Sequence, residues 1–87
     1  MGYVMQEYEE SGEYHIYEAH YDINGQIVIK PTVPLCGDND VSYDSRYKLT
    51  FREIKNEDEM AHICAEQKTS VRHKICAKCV GRFYKTN

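Results

Sequence analysis

The chain has 87 residues, of which 41% are hydrophobic and 29% charged, and its formal net charge is −3. A chain of this length forms one domain and buries only about 60–65% of its unfolded surface, so a bound metal or a disulfide would add useful stability. The size and composition allow a small core but no elaborate pocket. They exclude a membrane-spanning protein, because no apolar run approaches about 20 residues, and we expect a protein that is not an enzyme.

The charges are distributed unevenly along the sequence. Residues 1–44 carry nine acidic side chains against Lys30 alone, whereas residues 45–87 carry ten basic and five acidic ones. An acidic half suits a basic protein surface or imitates a nucleic acid, and a basic segment can contact phosphate. The simplest interpretation of most of these charges is still the solvated surface of a soluble domain.

Residues 1–12 are acidic and lack the apolar run of a signal peptide. Gln6 occupies the position at which N-myristoylation requires serine or threonine. We therefore expect a cytoplasmic protein, in a compartment where thiols stay reduced. Four cysteines in such a chain favour metal binding over disulfides.

The first half of the chain predicts a β-hairpin. Residues 1–12 are interpreted as a flexible acidic tail or as an edge segment that orders against a partner. Residues 13–22 are rich in tyrosine and alternate in places, which predicts a strand. Asn24-Gly25 then favours a type I′ turn, and residues 26–35 return as a second strand. Its two prolines restrict that strand to an edge or a bulged position.

The second half predicts a strand and a helix. Residues 45–54 place apolar side chains at every second position, as in a half-buried strand. Asn56, followed by acidic residues and by Glu59 at the capping-box position, predicts the start of a helix that runs over about 57–67. Residues 69–75 form a further strand-like stretch. The predicted fold is therefore a small α+β domain over residues 1–87, with an antiparallel sheet built on the hairpin, one helix and a zinc-stapled C-terminal knuckle.

The pattern most typical of a metal site is Cys76-Ala77-Lys78-Cys79, followed closely by Gly81. Two thiols three residues apart supply half of the tetrahedral set that structural zinc requires. Cys36, directly before Gly37 at the predicted end of a strand, is the best third ligand. A redox dithiol is a weaker interpretation, because the βαβ context of the thioredoxin-type motif is absent.

The fourth ligand is open among several side chains. With Asn24 and Gly25 as the turn, a regular ladder places His15 on the same face as Cys36 and His20 on the opposite face, but a single bulge reverses this assignment. Cys64 lies at helical spacing from the apolar Met60, which is typical of a core cysteine. The remaining candidates, His62 and His73, flank polar residues and are expected at the surface.

Three patches of sequence carry a resemblance to a group of very small bacterial and phage zinc proteins: Ala19-His20-Tyr21, Pro34-Leu35-Cys36-Gly37 and Ile75-Cys76-Ala77-Lys78-Cys79. In that group a histidine on a first strand precedes a Cys-Gly pair, and a CxxC motif closes the chain. The resemblance implies a structural Zn²⁺ held by His20, Cys36, Cys76 and Cys79, with Cys64 as the first substitute for the histidine. The long insert between Cys36 and Cys76 departs from the group.

In its size, its acidity and its lack of a catalytic motif, the chain resembles the small inhibitors of phages and mobile elements, among them zinc-containing anti-CRISPR proteins. This resemblance implies a protein–protein interaction in which the chain binds a type II RNA-guided nuclease and blocks DNA binding or cleavage. If the chain is phage-encoded, the expected compartment is the host cell cytoplasm. The expected contact surface is acidic and rich in tyrosine, and consists of Glu7, Tyr8, Glu9, Glu10, Glu13 and Tyr17. The alternative is a zinc-ribbon-like or transcription-associated nucleic-acid binder that uses the basic residues after position 71, with Phe83 or Tyr84 stacking on a base.

Overall fold

The computed structural model describes residues 2–68 and 74–83. Its elements, in chain order, are β1 (Gly2–Tyr8), β2 (Glu13–Tyr21), β3 (Ile27–Ile29), a 3₁₀ turn (Asn39–Val41), α1 (Glu57–Lys68), β4 (Lys74–Ile75) and α2 (Ala77–Val80). The α+β class is confirmed, with one main helix and a sheet in which β1, β2 and β3 are antiparallel and the short β4 adds to β2 in parallel. No helix within the described ranges is long and apolar enough to cross a membrane.

Strand β2 is the centre of the sheet. Along one edge it pairs antiparallel with the whole of β1, from Tyr8 opposite Glu13 to Gly2 opposite Ala19. Its other edge is shared: β3 pairs antiparallel with the end of β2, and β4 pairs parallel with its start. The middle of this second edge, around Ile16, bonds to the irregular segment after β3, where Leu35 N donates to the carbonyl of Ile16.

The predicted tail is a strand in the structure. Residues 2–8 form β1, and four consecutive side chains in it are buried, from Tyr3 to Gln6. Alternate residues of a strand point to opposite faces, so four buried neighbours mean that both faces of the sheet are covered. The acidic residues within 1–12 suggested a tail, whereas the apolar run Tyr3-Val4-Met5 indicates a buried strand.

The two faces carry separate apolar clusters. One face packs against α1 and the C-terminal knuckle through Tyr3, Met5, Ile16, Met60, Cys64, Cys76, Cys79 and Val80. The other face packs against the long segment between β3 and α1 through Val4, Tyr17 and Ala19, with Ile27, Ile29, Tyr43, Leu49 and Ile54 around them.

The predicted strand over residues 45–54 is wrong. This segment follows the free edge of β1 but meets it only at two isolated bridges, Gln6 with Leu49 and Tyr3 with Lys55. The buried Gln6 explains the interruption, because its side-chain amide donates to the carbonyls of Asp44 and Tyr47, at 2.7 and 3.0 Å. Hydrogen bonds from the Gln6 side chain thus replace part of the backbone ladder that the alternating pattern predicts.

The helix is where the sequence places it. Helix α1 begins at Glu57, and the capping box is formed in both directions: Glu59 N donates to Asn56 Oδ1 at 2.8 Å, and Asn56 N donates to Glu59 Oε1 at 3.0 Å. Acidic residues fill its first turn, where they complement the helix dipole.

Candidate metal centre

Four side chains converge at the middle of the β2 edge, between β3 and β4: His15, Cys36, Cys76 and Cys79. Their ligand atoms all lie within 4.8 Å of one another. Nδ1 of His15 is 3.7 Å from Cys36 Sγ and 3.8 Å from Cys79 Sγ. Tetrahedral ligands at bond lengths of about 2.0–2.3 Å are separated by about 3.3–3.8 Å, so the cluster has the dimensions needed to hold a metal ion. All of these cysteines are free thiols.

Backbone hydrogen bonds on either side of His15 assemble the cluster. The carbonyl of Tyr14 accepts from Cys76 N, and the carbonyl of Ile16 accepts from Leu35 N, both at 2.8 Å. Because carbonyls two residues apart on a strand point to the same edge, these bonds draw two distant segments against consecutive positions of one edge. The C-terminal knuckle and the residue before Cys36 therefore lie on either side of the imidazole.

The local backbone then aims the sulfurs. Cys76 precedes the single turn of α2, where Val80 N donates to the carbonyl of Cys76 at 3.0 Å, so Cys76 and Cys79 lie on one face of that turn. On the other segment, Gly37 has φ +80°, a conformation that side chains other than glycine adopt rarely, and its N–H donates to the carbonyl of Pro34 at 2.9 Å. This turn directs Cys36 towards the knuckle.

Glu13 orients the imidazole. Its carboxylate lies 3.1 Å from Nε2 of His15, on the side of the ring away from the sulfurs. The arrangement fixes the hydrogen on Nε2 and leaves the lone pair of Nδ1 directed into the cluster. A carboxylate bonded to the remote nitrogen of a histidine is the usual support of a metal-binding imidazole.

Burial shifts the titration of the two enclosed ligands in opposite senses. Loss of solvent lowers the pKa of His15, and the carboxylates of Glu13 and Asp38 oppose this shift only in part. Burial raises the pKa of Cys79 to about 12, although backbone hydrogen bonds from Ile16 and Cys36 to its sulfur act in the opposite direction. In the absence of a metal, the site therefore favours a neutral imidazole and a neutral thiol.

The cluster is open on one side. Cys79 is fully buried and Cys76 is 8% exposed, whereas Cys36 is only partly buried. A cleft of about 540 Å³ leads to Cys36 and Cys76 and is bordered by Glu13, Asp38 and Lys78. The cleft thus gives solvent a route to two of the three cysteine residues.

The histidine in the cluster is His15, and His20, the ligand implied by the resemblance, lies elsewhere. His20 is exposed, pairs with Val28 of β3 and borders a separate cleft with Glu18, Lys30 and Glu59. The two histidines are five residues apart on one strand, so their side chains project from opposite faces. Only one of them can reach the cysteines.

His15 is the histidine that a regular ladder places beside Cys36, but the register assumed for that prediction is incorrect. The turn is a three-residue loop closed by Gly25 at φ +78°, which places His20 opposite Val28 instead of Ile29. This shift alone would move Cys36 to the face of His20. The irregular segment before Leu35 contributes a second odd shift, because Leu35 N bonds to Ile16 O, and Cys36 returns to the side of His15.

The other candidate ligands are separate from the cluster. Cys64 is fully buried in α1 beside Met60, within the apolar core. His62 is exposed and pairs with Glu66 one turn later, at 3.0 Å. His73 lies outside the described residues.

The predicted contact residues divide into two groups. Glu7, Glu9 and Glu10 are exposed around the tip of the β1–β2 hairpin, and Tyr8 is partly exposed beside them. Tyr17, in contrast, is 1% exposed, and its hydroxyl donates to the carbonyl of Val41 at 2.6 Å. Both faces of β2 are covered, so Tyr17 belongs to the core and not to a contact surface. The period-2 pattern of the sequence does not indicate this.

Glu13 was predicted only as a surface acid of the contact surface, but in the structure its carboxylate supports His15. The signal was available: Glu13 and His15 are two residues apart on a predicted strand and share a face.

Comparisons with protein-family models, with curated proteins and with solved structures find no match for this chain.

Proposed function

We propose that the cluster of His15, Cys36, Cys76 and Cys79 binds one structural Zn²⁺. The observation that carries the proposal is the set of four donors within 4.8 Å, with Nδ1 of the imidazole facing the sulfurs. Three thiolates and one imidazole form a donor set typical of zinc, and soft sulfur ligands disfavour magnesium and calcium.

Such an ion would join parts of the chain that have little stability of their own. Strand β4 has two residues and helix α2 has four, far fewer than an isolated element needs. The ion would connect them to β2 and to the turn at Cys36. The metal would thus act as the staple that a domain of this size needs.

We propose further that the protein is a binding module and not an enzyme. Four protein ligands would leave no coordination position for water or substrate, which is the distinction between structural and catalytic zinc. The role of the chain would then lie in the surface that the stapled fold presents.

The surface best suited to a partner is an acidic cleft lined by tyrosines. It lies between the hairpin tip and the facing loop and has a volume of about 450 Å³. Its lining contains the acidic residues Glu9, Glu10, Asp40 and Asp44, the tyrosines Tyr8, Tyr43 and Tyr47, and the single basic residue Arg46, which is paired with Asp44. Tyrosines supply contact area at low entropic cost, and excess negative charge favours a basic partner.

A larger host protein with a basic nucleic-acid channel fits this description. Type II RNA-guided nucleases have such channels, and the resemblance to zinc-containing phage inhibitors implies the same class of partner. We therefore propose inhibition of such a nuclease, by blocking target DNA binding or cleavage, as the specific function to test.

The basic C-terminal segment provides weaker support for nucleic-acid binding. Phe83 packs edge-on against Tyr3, with ring centroids 5.0 Å apart, so its ring is engaged in the core and is not free to stack on a base. Tyr84, Arg72 and Lys85 lie outside the described residues.

The proposal is tested in two steps. Elemental analysis of the purified protein should find one zinc per chain, which a strong chelator removes with loss of folded structure; a metal-free folded chain would contradict structural zinc. Binding to a type II nuclease is then measured for the wild type, for a Glu9→Lys/Glu10→Lys variant and for a Glu53→Lys/Glu66→Lys control of equal charge, with both replaced acids exposed outside the cleft. Only the first variant should lose binding, and equal loss in both would reject the cleft.

A further inference from the structure

The three cysteines of the cluster differ in their accessibility. Cys36 is partly exposed and, with the 8%-exposed Cys76, borders the open cleft, whereas Cys79 is fully buried and does not border it. A small oxidant entering the cleft therefore meets Cys36 first and Cys76 next. Cys64, enclosed in the core at 0% exposure, is out of reach.

From this geometry we infer that Cys36 and Cys76 are a peroxide-reactive pair, and that their oxidation to a disulfide expels the metal. The inference rests on the proposed metal site. All ligand atoms of the cluster lie within 4.8 Å of one another, so the two sulfurs must approach by at most about 2.8 Å to reach bonding distance, about 2.05 Å.

The chemistry balances with hydrogen peroxide as the only oxidant. The Cys36 thiolate attacks one peroxide oxygen; an S–O bond forms, the O–O bond breaks and hydroxide leaves, giving a sulfenic acid. The Cys76 thiolate then attacks the Cys36 sulfur; an S–S bond forms, the S–O bond breaks and a second hydroxide leaves. Two electrons from two thiolates reduce the peroxide, and the metal ion leaves without a change of oxidation state because two of its four ligands are consumed.

The choice of pair has a structural consequence. Cys36 belongs to the turn after β3, and Cys76 belongs to the knuckle between β4 and α2. A bond between them joins the same two segments that the metal joins through their sulfurs. Oxidation would exchange one staple for another and leave the knuckle attached to the sheet, whereas a Cys76–Cys79 bond within the knuckle would release it from the turn.

The test treats the purified protein with hydrogen peroxide and follows metal release with a chromogenic chelator. Metal content is measured first. Free thiols are then alkylated after unfolding, and proteolytic peptides are mapped by mass spectrometry. We expect the loss of one metal ion and two thiols per chain, a mass about 2 Da lower than that of the reduced chain, and a cross-linked peptide pair containing Cys36 and Cys76. Cys79 and Cys64 should be recovered alkylated.

The outcomes separate this inference from the proposed function. Metal present at the start but released with a Cys76–Cys79 bond, or not released at a large excess of peroxide, overturns the inference and leaves the structural metal intact. Absence of metal at the start overturns both. A Cys64→Ala variant removes the thiol outside the cluster and should release metal at an unchanged rate; a rate slowed several-fold would assign the reactivity to Cys64 and overturn the inference.

Discussion

Nε2 of His15 lies 3.1 Å from a carboxylate oxygen of Glu13, two residues earlier on the same strand. The acid and the histidine share a face of β2, and the histidine is 2% exposed. Its ring can therefore rotate little without breaking this contact. The pair determines which nitrogen faces the three cysteines.

Replacement of Glu13 should weaken metal binding without abolishing it. Loss of the carboxylate behind a metal-binding histidine typically lowers affinity about 10–100-fold. Glu13→Ala should show this loss, and Glu13→Gln, which keeps an acceptor oxygen, should show less of it. Competition with a chelator of known affinity measures the effect, and Glu10→Gln, which alters an exposed acid on the neighbouring turn, is the control. Equal affinities for all variants would mean that the Glu13 contact does not support the site.

The two histidines of β2 form a matched pair of substitutions. His15→Ala removes one of four ligands, and a quarter of the about 10–16 kcal/mol typical of structural zinc corresponds to a loss of affinity of roughly 100-fold or more. His20→Ala should leave affinity unchanged because His20 is exposed and paired with β3. His15→Cys should retain metal, since four thiolates also bind zinc. Chelator competition on all variants decides the assignment, and loss of metal from His20→Ala alone would restore the set implied by the resemblance.

Substitutions of Cys79 and Cys64 should likewise differ in their effect on metal content. Cys79→Ala removes a fully buried ligand and should eliminate metal from the purified protein, together with cooperative unfolding of the domain. Cys64→Ala removes a core thiol of similar burial, and we expect a cost of about 1–2 kcal/mol with metal content unchanged. Elemental analysis combined with denaturant unfolding separates the two effects. A metal-free Cys64→Ala variant would show that Cys64 contributes to the site.

Tyr17 provides a test of the fold at a residue that is not one of the proposed ligands. Its buried hydroxyl donates to the carbonyl of Val41 at 2.6 Å, and burial raises the pKa of this phenol. Tyr17→Phe leaves that carbonyl without its partner and should lower the free energy of unfolding by about 1–2 kcal/mol. Tyr8→Phe, at the exposed hairpin tip, should change it by less than about 0.5 kcal/mol. Equal effects in denaturant unfolding would contradict the placement of Tyr17 in the core.

Metal affinity should fall as the pH is lowered from 8 to 6. Burial raises the pKa of Cys79 to about 12, so this thiol is protonated throughout that range and must release its proton when the metal binds. The pKa of His15 is lowered, so its imidazole is already neutral near pH 7 and adds no proton release until the pH falls below about 6.5. Titration calorimetry in two buffers of different ionisation enthalpy should detect the released protons. An affinity independent of pH would contradict this account.

Local chemistry explains which parts of the fold the sequence could predict. The capping box at Asn56 and Glu59, and the spacing of Cys76 and Cys79, act within one turn of backbone, and both predictions agree with the structure. Strand β1 was not predicted, because Glu7, Glu9 and Glu10 make residues 1–12 resemble an acidic tail although the apolar run Tyr3-Val4-Met5 lies within them. Residues 45–54 have the alternation of a strand, but the side-chain amide of Gln6 donates to the backbone carbonyl of Tyr47 and to that of Asp44 just before them.

Identification of the fourth ligand required the strand register, which the local sequence does not determine. The register of β3 depends on the conformation of a loop, and the position of Cys36 depends further on the irregular chain after Ile29. Each shifts the facing side chains by an odd number of residues, so an error in either one reverses the choice between His15 and His20. The carboxylate of Glu13, within two residues of one histidine, was the better local evidence.

The carbonyls of Tyr14, Ile16 and Glu18 accept from Cys76, Leu35 and Lys30 along a single edge of β2. This alternation imposes a rule of parity on the length of the strand. A single residue inserted or deleted between Tyr14 and Glu18 would rotate one acceptor away from its donor and turn His15 to the wrong face. Changes of two residues would keep every acceptor on its side. Homologous chains should therefore vary in this part of β2 by even numbers of residues, or not at all.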